Sequence, residues 1–121
     1  MIQVITKPDF NKSILATSGI KIVNVWAFWC DGCLHMFSLM PYIDASLDNG
    51  DKIIYIDWDQ NKKLAKELCV YGVPTLLVYQ GKDEVARYSG TADVRALKRL
   101  INHKKNCEAP AHGLEAASYG V

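Results

Sequence analysis

The chain has 121 residues, half of them hydrophobic and 22% charged, with a formal net charge of +1. That is enough chain for one domain with a core of its own, and it excludes global disorder. The near-neutral balance gives no reason to expect nucleic acid, a membrane surface or an acidic polymer as partner. Ile2 to Ile5 is a short apolar run that reads as a strand. Thr6 is placed to cap a helix, Pro8 suits its first turn and Asp9 favours its dipole. Phe10, Ile14 and Leu15 recur at helical spacing, and Gly19 ends that element. Ile20 to Phe28, interrupted only by Lys21 and Asn24, predicts a central strand buried on both faces.

A helix is expected from Cys33 to Leu47, with Leu34, Phe37, Ile43 and Leu47 as its apolar face and Asn49-Gly50 as its end. Pro41 inside it predicts a kink. Ile53 to Trp58 reads as a second buried strand, and Asn61 to Cys69 as a helix carrying Leu64 and Leu68 on one face. Thr75–Tyr79 and Glu84–Ser89, joined by a turn at Gln80-Gly81-Lys82-Asp83, predict a hairpin. Thr91 or Asp93 starts a last helix with Val94, Leu97, Leu100 and Ile101. The pattern then stops, so residues 1–105 are read as the domain and 106–121 as a flexible tail. The order of elements predicts parallel strands joined by helical crossovers, then one antiparallel hairpin, with helices on both faces of an α/β sheet.

The N-terminus has no basic segment followed by an apolar one, and the longest apolar run, Val25 to Cys30, is too short to span a bilayer. A reducing, cytoplasmic setting is the expectation, and in it four cysteines point to chemistry or metal binding rather than to structural disulfides. Cys30 and Cys33 fall where the central strand ends and a helix begins. There, unsatisfied backbone N–H groups and the positive end of the helix dipole stabilise a thiolate over a thiol. One turn of helix also brings Cys33 within reach of any disulfide formed at Cys30. A C-x-x-C pair is also half of a zinc site, but Cys69, Cys107, His35 and His103 contain no second close pair, so no metal is expected.

Val25-Trp26-Ala27-Phe28-Trp29-Cys30-Asp31-Gly32-Cys33, followed by Asp59-Gln60-Asn61, Tyr71-Gly72-Val73-Pro74-Thr75-Leu76-Leu77 and Gly90, resembles the thioredoxin family over about residues 2–103. Pro74 lies 41 residues after Cys33, the spacing usual in that family. The resemblance implies a thioredoxin fold with a central mixed five-stranded sheet. It implies a thiol–disulfide oxidoreductase that reduces disulfide-containing proteins as a monomer, with no bound cofactor, and is regenerated by a thioredoxin reductase. Cys30 would be the nucleophile, Cys33 the resolving thiol and Trp29 the indole beside them. Pro74 would be a cis-proline facing the dithiol. Val73 would offer its backbone to an extended substrate, a β-augmentation mode, and Gly90 would let it approach.

The chain departs from the family pattern at four places. Asp31-Gly32 replaces the usual Gly-Pro, which loosens the first turn and sets a negative charge near the thiolate. Asn24 stands where the family has a buried aspartate, and Tyr55 where it often has a lysine. A neutral Asn24–Tyr55 hydrogen bond replacing an ion pair is the expectation, against simple core packing of Tyr55. Pro41 falls about one turn later than the family's helix proline. His35 reads as a solvated surface residue, Cys69 as a buried structural thiol beside the Pro74 loop, and Cys107 as a thiol at the tail junction. Alternatives kept beside the reductase are a thiol oxidase or isomerase on the same fold, and a non-catalytic interaction subunit.

Overall fold

The computed structural model describes residues 2–4, 10–90 and 93–106, without the side chains of residues 2–4, 105 and 106. The strands are β1 (Ile2–Val4), β2 (Ile20–Trp26), β3 (Lys52–Asp57), β4 (Thr75–Gln80) and β5 (Asp83–Ser89). They form one five-stranded sheet in the order β1-β3-β2-β4-β5. β1 and β2 run parallel to β3, whereas β4 is antiparallel to both β2 and β5. The expectation of parallel crossovers up to the hairpin therefore fails at one step: β4 enters beside β2 in the opposite sense. The mixed sheet itself is as expected.

The helices are α1 (Asp31–Asp44), α2 (Lys62–Glu67) and α3 (Val94–Asn106). Side chains alternate across the sheet, so β2, β3 and β4 each feed two cores. Ile22, Ile53, Leu76 and Val78 face α1 and α3, packing on Met36, Met40, Ile43, Leu97 and Ile101. Val23, Val25, Ile54, Ile56, Leu77 and Tyr79 face the other way, against Phe10, Ile14, Leu64, Ala65 and Val70.

Several boundaries move for identifiable reasons. The first helical segment is a π-helix over Asn11–Leu15 that buries Ile14 and leaves Leu15 39% exposed. Its expected start at Thr6, Pro8 and Asp9 lies outside the described residues. α1 begins at Asp31, because Cys30 already caps it, and ends at Asp44 with Pro41 still inside. Its buried face is Cys33, Met36, Met40 and Ile43, spaced at helical intervals, while Leu34 is 56% exposed. Phe28 is also outside the sheet: β2 ends at Trp26 and Phe28 turns into solvent, 77% exposed. α2 is shorter than predicted, since the chain turns left-handed at Cys69. Asp93 starts α3 by accepting from the N–H of Arg95 and Ala96; Thr91 lies outside the described residues. So does the tail beyond Asn106.

The end of the sheet away from α1's N-terminus is pinned by two buried polar residues. Lys21, near the start of the central strand β2, is fully buried, and its ammonium donates to the carbonyls of Thr17 and, at 2.8 Å, Gly81. Burial, and then the charge of Lys52, lower its pKa below 10.5, while Asp51 acts in the opposite sense. The Asp51 carboxylate accepts from the N–H of Ile20 at 2.9 Å and of Asp48 at 2.8 Å. Gly19 closes this corner at φ +90°, and a Cβ on it would lie 2.7 Å from the Gly50 carbonyl oxygen, so the position admits only glycine.

Candidate active site

The turn after β2 builds the dithiol. The Cys30 N–H donates to the Ala27 carbonyl at 3.2 Å, which turns the chain out of the sheet and into α1. Cys30, in extended conformation, is the N-cap residue of that helix, and its Sγ accepts from the Cys33 N–H at 3.1 Å. The sulfur thus takes the place that a Ser or Asp oxygen takes at most helix starts. Both thiols are free. Cys30 retains 8% exposure and Cys33 none.

Cys33 packs in a small cluster with Ala27 and Cys30, against which Trp26 and Val73 lean. Burial, and next the hydrogen bond with Cys30, push the Cys33 thiol up to about 12. The two sulfurs are therefore unlike: one lies at the rim on a helix terminus, the other is inside and holds its proton. Asp31 is exposed in the first turn of α1, and Gly32 follows it half-buried.

Val73 and Pro74 arrive from the loop before β4. The Val73–Pro74 bond is cis and Pro74 is buried. Thr75 Oγ1 donates to the Gly72 carbonyl at 2.8 Å, and the Gly90 N–H donates to the Pro74 carbonyl at 2.8 Å. Gly90 has φ +85° with open space around it. A cavity of about 250 Å³ runs along this edge, from Cys69 and Tyr71 past Pro74 to Gly90. The structure therefore brings Cys30, Cys33 and Val73 together and ties Gly90 to Pro74.

Trp29 is 64% exposed beside the dithiol. Its indole N–H donates to Asp59 at 2.8 Å and its ring meets Trp58 edge-on at 6.1 Å. The sequence pattern contains Asp59 but gives it no such part; its place in Asp59-Gln60-Asn61 is the one available signal.

The Asn24–Tyr55 pair is corrected. The two residues sit opposite each other in the β2–β3 register, and Asn24 is fully buried. Yet neither its side-chain nitrogen nor its oxygen has a hydrogen-bond partner, and the same holds for the Trp26 indole nitrogen. Tyr55 stacks edge-on with Phe37 at 5.4 Å, which continues to Trp26 at 5.3 Å and Phe28 at 4.6 Å. An aromatic ladder has drawn Tyr55 away, so core packing wins over the expected hydrogen bond.

Cys69 is exposed rather than buried. It lies at φ +58° just after α2, where its N–H donates to the Lys66 carbonyl and the Val70 N–H to that of Ala65. This is a Schellman closure with cysteine in glycine's place. The left-handed conformation costs a non-glycine residue about 1–2 kcal/mol, partly offset by glycine's greater unfolded-state entropy. Cys69→Gly is expected to raise stability by about 0.5–1 kcal/mol in urea denaturation.

His35 is exposed on α1. Cys107 lies outside the described residues. Among the described residues, no three or more His, Cys, Asp or Glu side chains gather as a metal site, and no helix is long and apolar enough to cross a membrane.

The thioredoxin family model matches residues 1–103. A thioredoxin of Chlamydia pneumoniae is 32% identical over 102 residues, 84% of this chain and 97% of that one. A thioredoxin of Bacillus subtilis is 28% identical over 99 residues, 82% of this chain and 95% of that one. A bifunctional thioredoxin reductase/thioredoxin of Mycobacterium leprae is 28% identical over 98 residues, and this chain spans only 21% of its length. Among solved structures, a single-site mutant of a thioredoxin from Halobacterium salinarum superposes with a TM-score of 0.74. It covers 84% of this chain and 88% of its own, at 24% identity.

Proposed function

The chain belongs to the thioredoxin family of thiol–disulfide oxidoreductases, and on that premise we propose that it is a protein-disulfide reductase working through Cys30 and Cys33. The observation that carries the reading is the inequality of the two free thiols: Cys30 caps α1 at the rim, and Cys33 is fully buried and holds its proton up to about 12. The Cys30 thiolate attacks one sulfur of a substrate disulfide, forms a mixed disulfide and releases the other sulfur as a thiolate. Cys33 gives up its proton and attacks Cys30 Sγ. The second substrate sulfur leaves as a thiol, and a Cys30–Cys33 disulfide remains. The substrate gains two electrons and the dithiol loses them.

Val73 is suited to hold an extended substrate segment by its backbone, with Pro74 and Gly90 shaping the floor. Trp29, fixed by Asp59, flanks the entry. Asp31, Gly32, Asn24 and Tyr55 tune the dithiol through charge, turn stiffness and packing. Re-reduction falls to a flavin-dependent, NADPH-fed thioredoxin reductase; a relative carries both names in a single chain. A reducing compartment such as the cytoplasm keeps the pair as thiols, and the protein acts as a monomer.

The test is insulin reduction in dithiothreitol. The protein is expected to hasten B-chain precipitation well beyond dithiothreitol alone, and an unchanged rate rejects catalysis in favour of an interaction subunit. Equilibration in glutathione buffers then fixes the direction. A potential near about −270 mV, characteristic of thioredoxin itself, supports a reductase, and one near about −120 mV an oxidase.

A further inference from the structure

Arg87 is the only basic residue of β5, and its guanidinium reaches out of that edge strand to the far end of α2. Nη1 donates to the Cys69 carbonyl at 2.8 Å and Nη2 to the Leu68 carbonyl at 2.7 Å. Glu84, on the same strand, holds the other side of the fork: Nε and Nη2 donate to its two carboxylate oxygens at 2.7 and 2.9 Å. A fork held on two sides has a fixed plane, which a lysine cannot reproduce.

The two carbonyls it grips mark the point where α2 turns into the Pro74 loop. Leu68 is the C-cap of α2, and Cys69 is the left-handed residue that follows. Helix C-termini leave carbonyls without partners, and the Schellman closure here satisfies only those of Ala65 and Lys66. Arg87 supplies donors for two carbonyls farther along the turn, those of Leu68 and Cys69. From Cys69 the chain needs only Val70, Tyr71 and Gly72 to reach Val73 and Pro74. Val70 is anchored in the core, whereas Tyr71 is 76% exposed. At its other end the loop is fastened by Thr75 to Gly72 and by Gly90 to Pro74. Gly90 follows Arg87 by three residues on the same chain segment. The loop is thus strung between two fixings, and β5 and its end supply one side of both.

We propose that the Arg87–Glu84 fork is a positioning device for the substrate loop: it sets where Val73 and Pro74 stand relative to Cys30, without touching the reacting sulfurs. This rests on the reductase reading, since it gives the loop a substrate to hold. Displacing the loop loosens substrate binding and leaves the reactivity of the Cys30 thiol alone.

The test compares wild type, Arg87→Met and Arg87→Lys in the insulin assay, with iodoacetamide alkylation of Cys30 and amide hydrogen exchange alongside. Arg87→Met is expected to raise KM about three- to tenfold with kcat and the alkylation rate unchanged. It is also expected to speed exchange of the Gly90 N–H about tenfold while the β2 amides stay as they were. Arg87→Lys recovers less than half of the KM change. A lowered melting temperature with unchanged KM and unchanged Gly90 exchange overturns the proposal, because the fork is then only a helix cap. Equal slowing of alkylation overturns it too, because the change then reaches the dithiol. If wild type itself does not turn insulin over, the reductase reading fails, and the Gly90 exchange still decides whether Arg87 holds the loop.

Discussion

A Cys33→Ser protein is expected to open a substrate disulfide and then stop. Cys30 keeps its place as N-cap, because the bond it receives comes from the backbone N–H of residue 33 and not from its side chain. The first attack therefore survives. What disappears is the internal sulfur that severs the mixed disulfide. Well-oriented intramolecular groups act at effective concentrations of about 10⁵ M or more, far above any thiol in solution. Turnover in insulin reduction should fall at least ~1,000-fold, and in a mixture with substrate but no dithiothreitol a covalent protein–substrate adduct should accumulate, which added dithiothreitol releases. Cys30→Ser should lose turnover equally and form no adduct. Non-reducing electrophoresis and intact-mass spectrometry separate the two. An adduct in the Cys30 variant and none in the Cys33 variant would reverse the roles given to the two sulfurs.

The dithiol and Pro74 were legible because their signal is local: two short segments, each with its own spacing, at a strand-to-helix junction and before a strand. The strands were legible for the same reason, as short apolar runs. What escaped were features set by orientation. In the sequence Leu34 reads as part of the apolar face of α1 and Met36 does not, and only the docking angle of the helix decides that Met36 is buried and Leu34 exposed. Phe28 extends an apolar run, but the turn that brings Cys30 back to Ala27 has already taken the chain out of the sheet. Asn24 and Tyr55 are neighbours in register, as expected, yet the ring of Phe37 offers Tyr55 more contact than the amide does. Arg87 and Lys21 find their partners far away in the chain, among backbone carbonyls that no side-chain pattern reveals.

Lys21 carries the second large effect. A lysine amid apolar residues reads as an interruption, but here the whole side chain is inside and the ammonium joins the end of the π-helix segment to the β4–β5 turn. Lys21→Ala leaves two partly buried carbonyls short of a donor, strips the balancing charge from beside Asp51 and opens a cavity along the lost stem. The expected loss is about 3–5 kcal/mol, from a total that for a domain is about 5–15. A fall of roughly 10–20 °C in melting temperature by circular dichroism corresponds to it. Lys21→Met keeps most of the stem and removes only the ammonium, so its loss should be about 1–3 kcal/mol. If the two variants melt together, packing of the stem contributes nothing and the account of Lys21 is wrong.

The strand order also has a bearing on how the chain assembles. β4 and β5 are joined by a tight turn, Gln80 opposite Asp83, and pair without waiting for any distant segment. The other pairings join remote parts of the chain: Val23 meets Leu77, and Ile2 meets Ile53. Closing short loops is quicker and loses less chain entropy than closing long ones. Loop closure thus favours the hairpin that carries Pro74 at its start and Gly90 at its end as the seed, and β2, with the two cysteines behind it, is expected to dock later. Before that docking Cys33 has no buried niche, and both thiols stand open to oxidants and to each other's wrong partners. A nascent or partly unfolded chain therefore has cysteines but no directed chemistry, and the order of their reaction is acquired only when the two halves of the sheet meet.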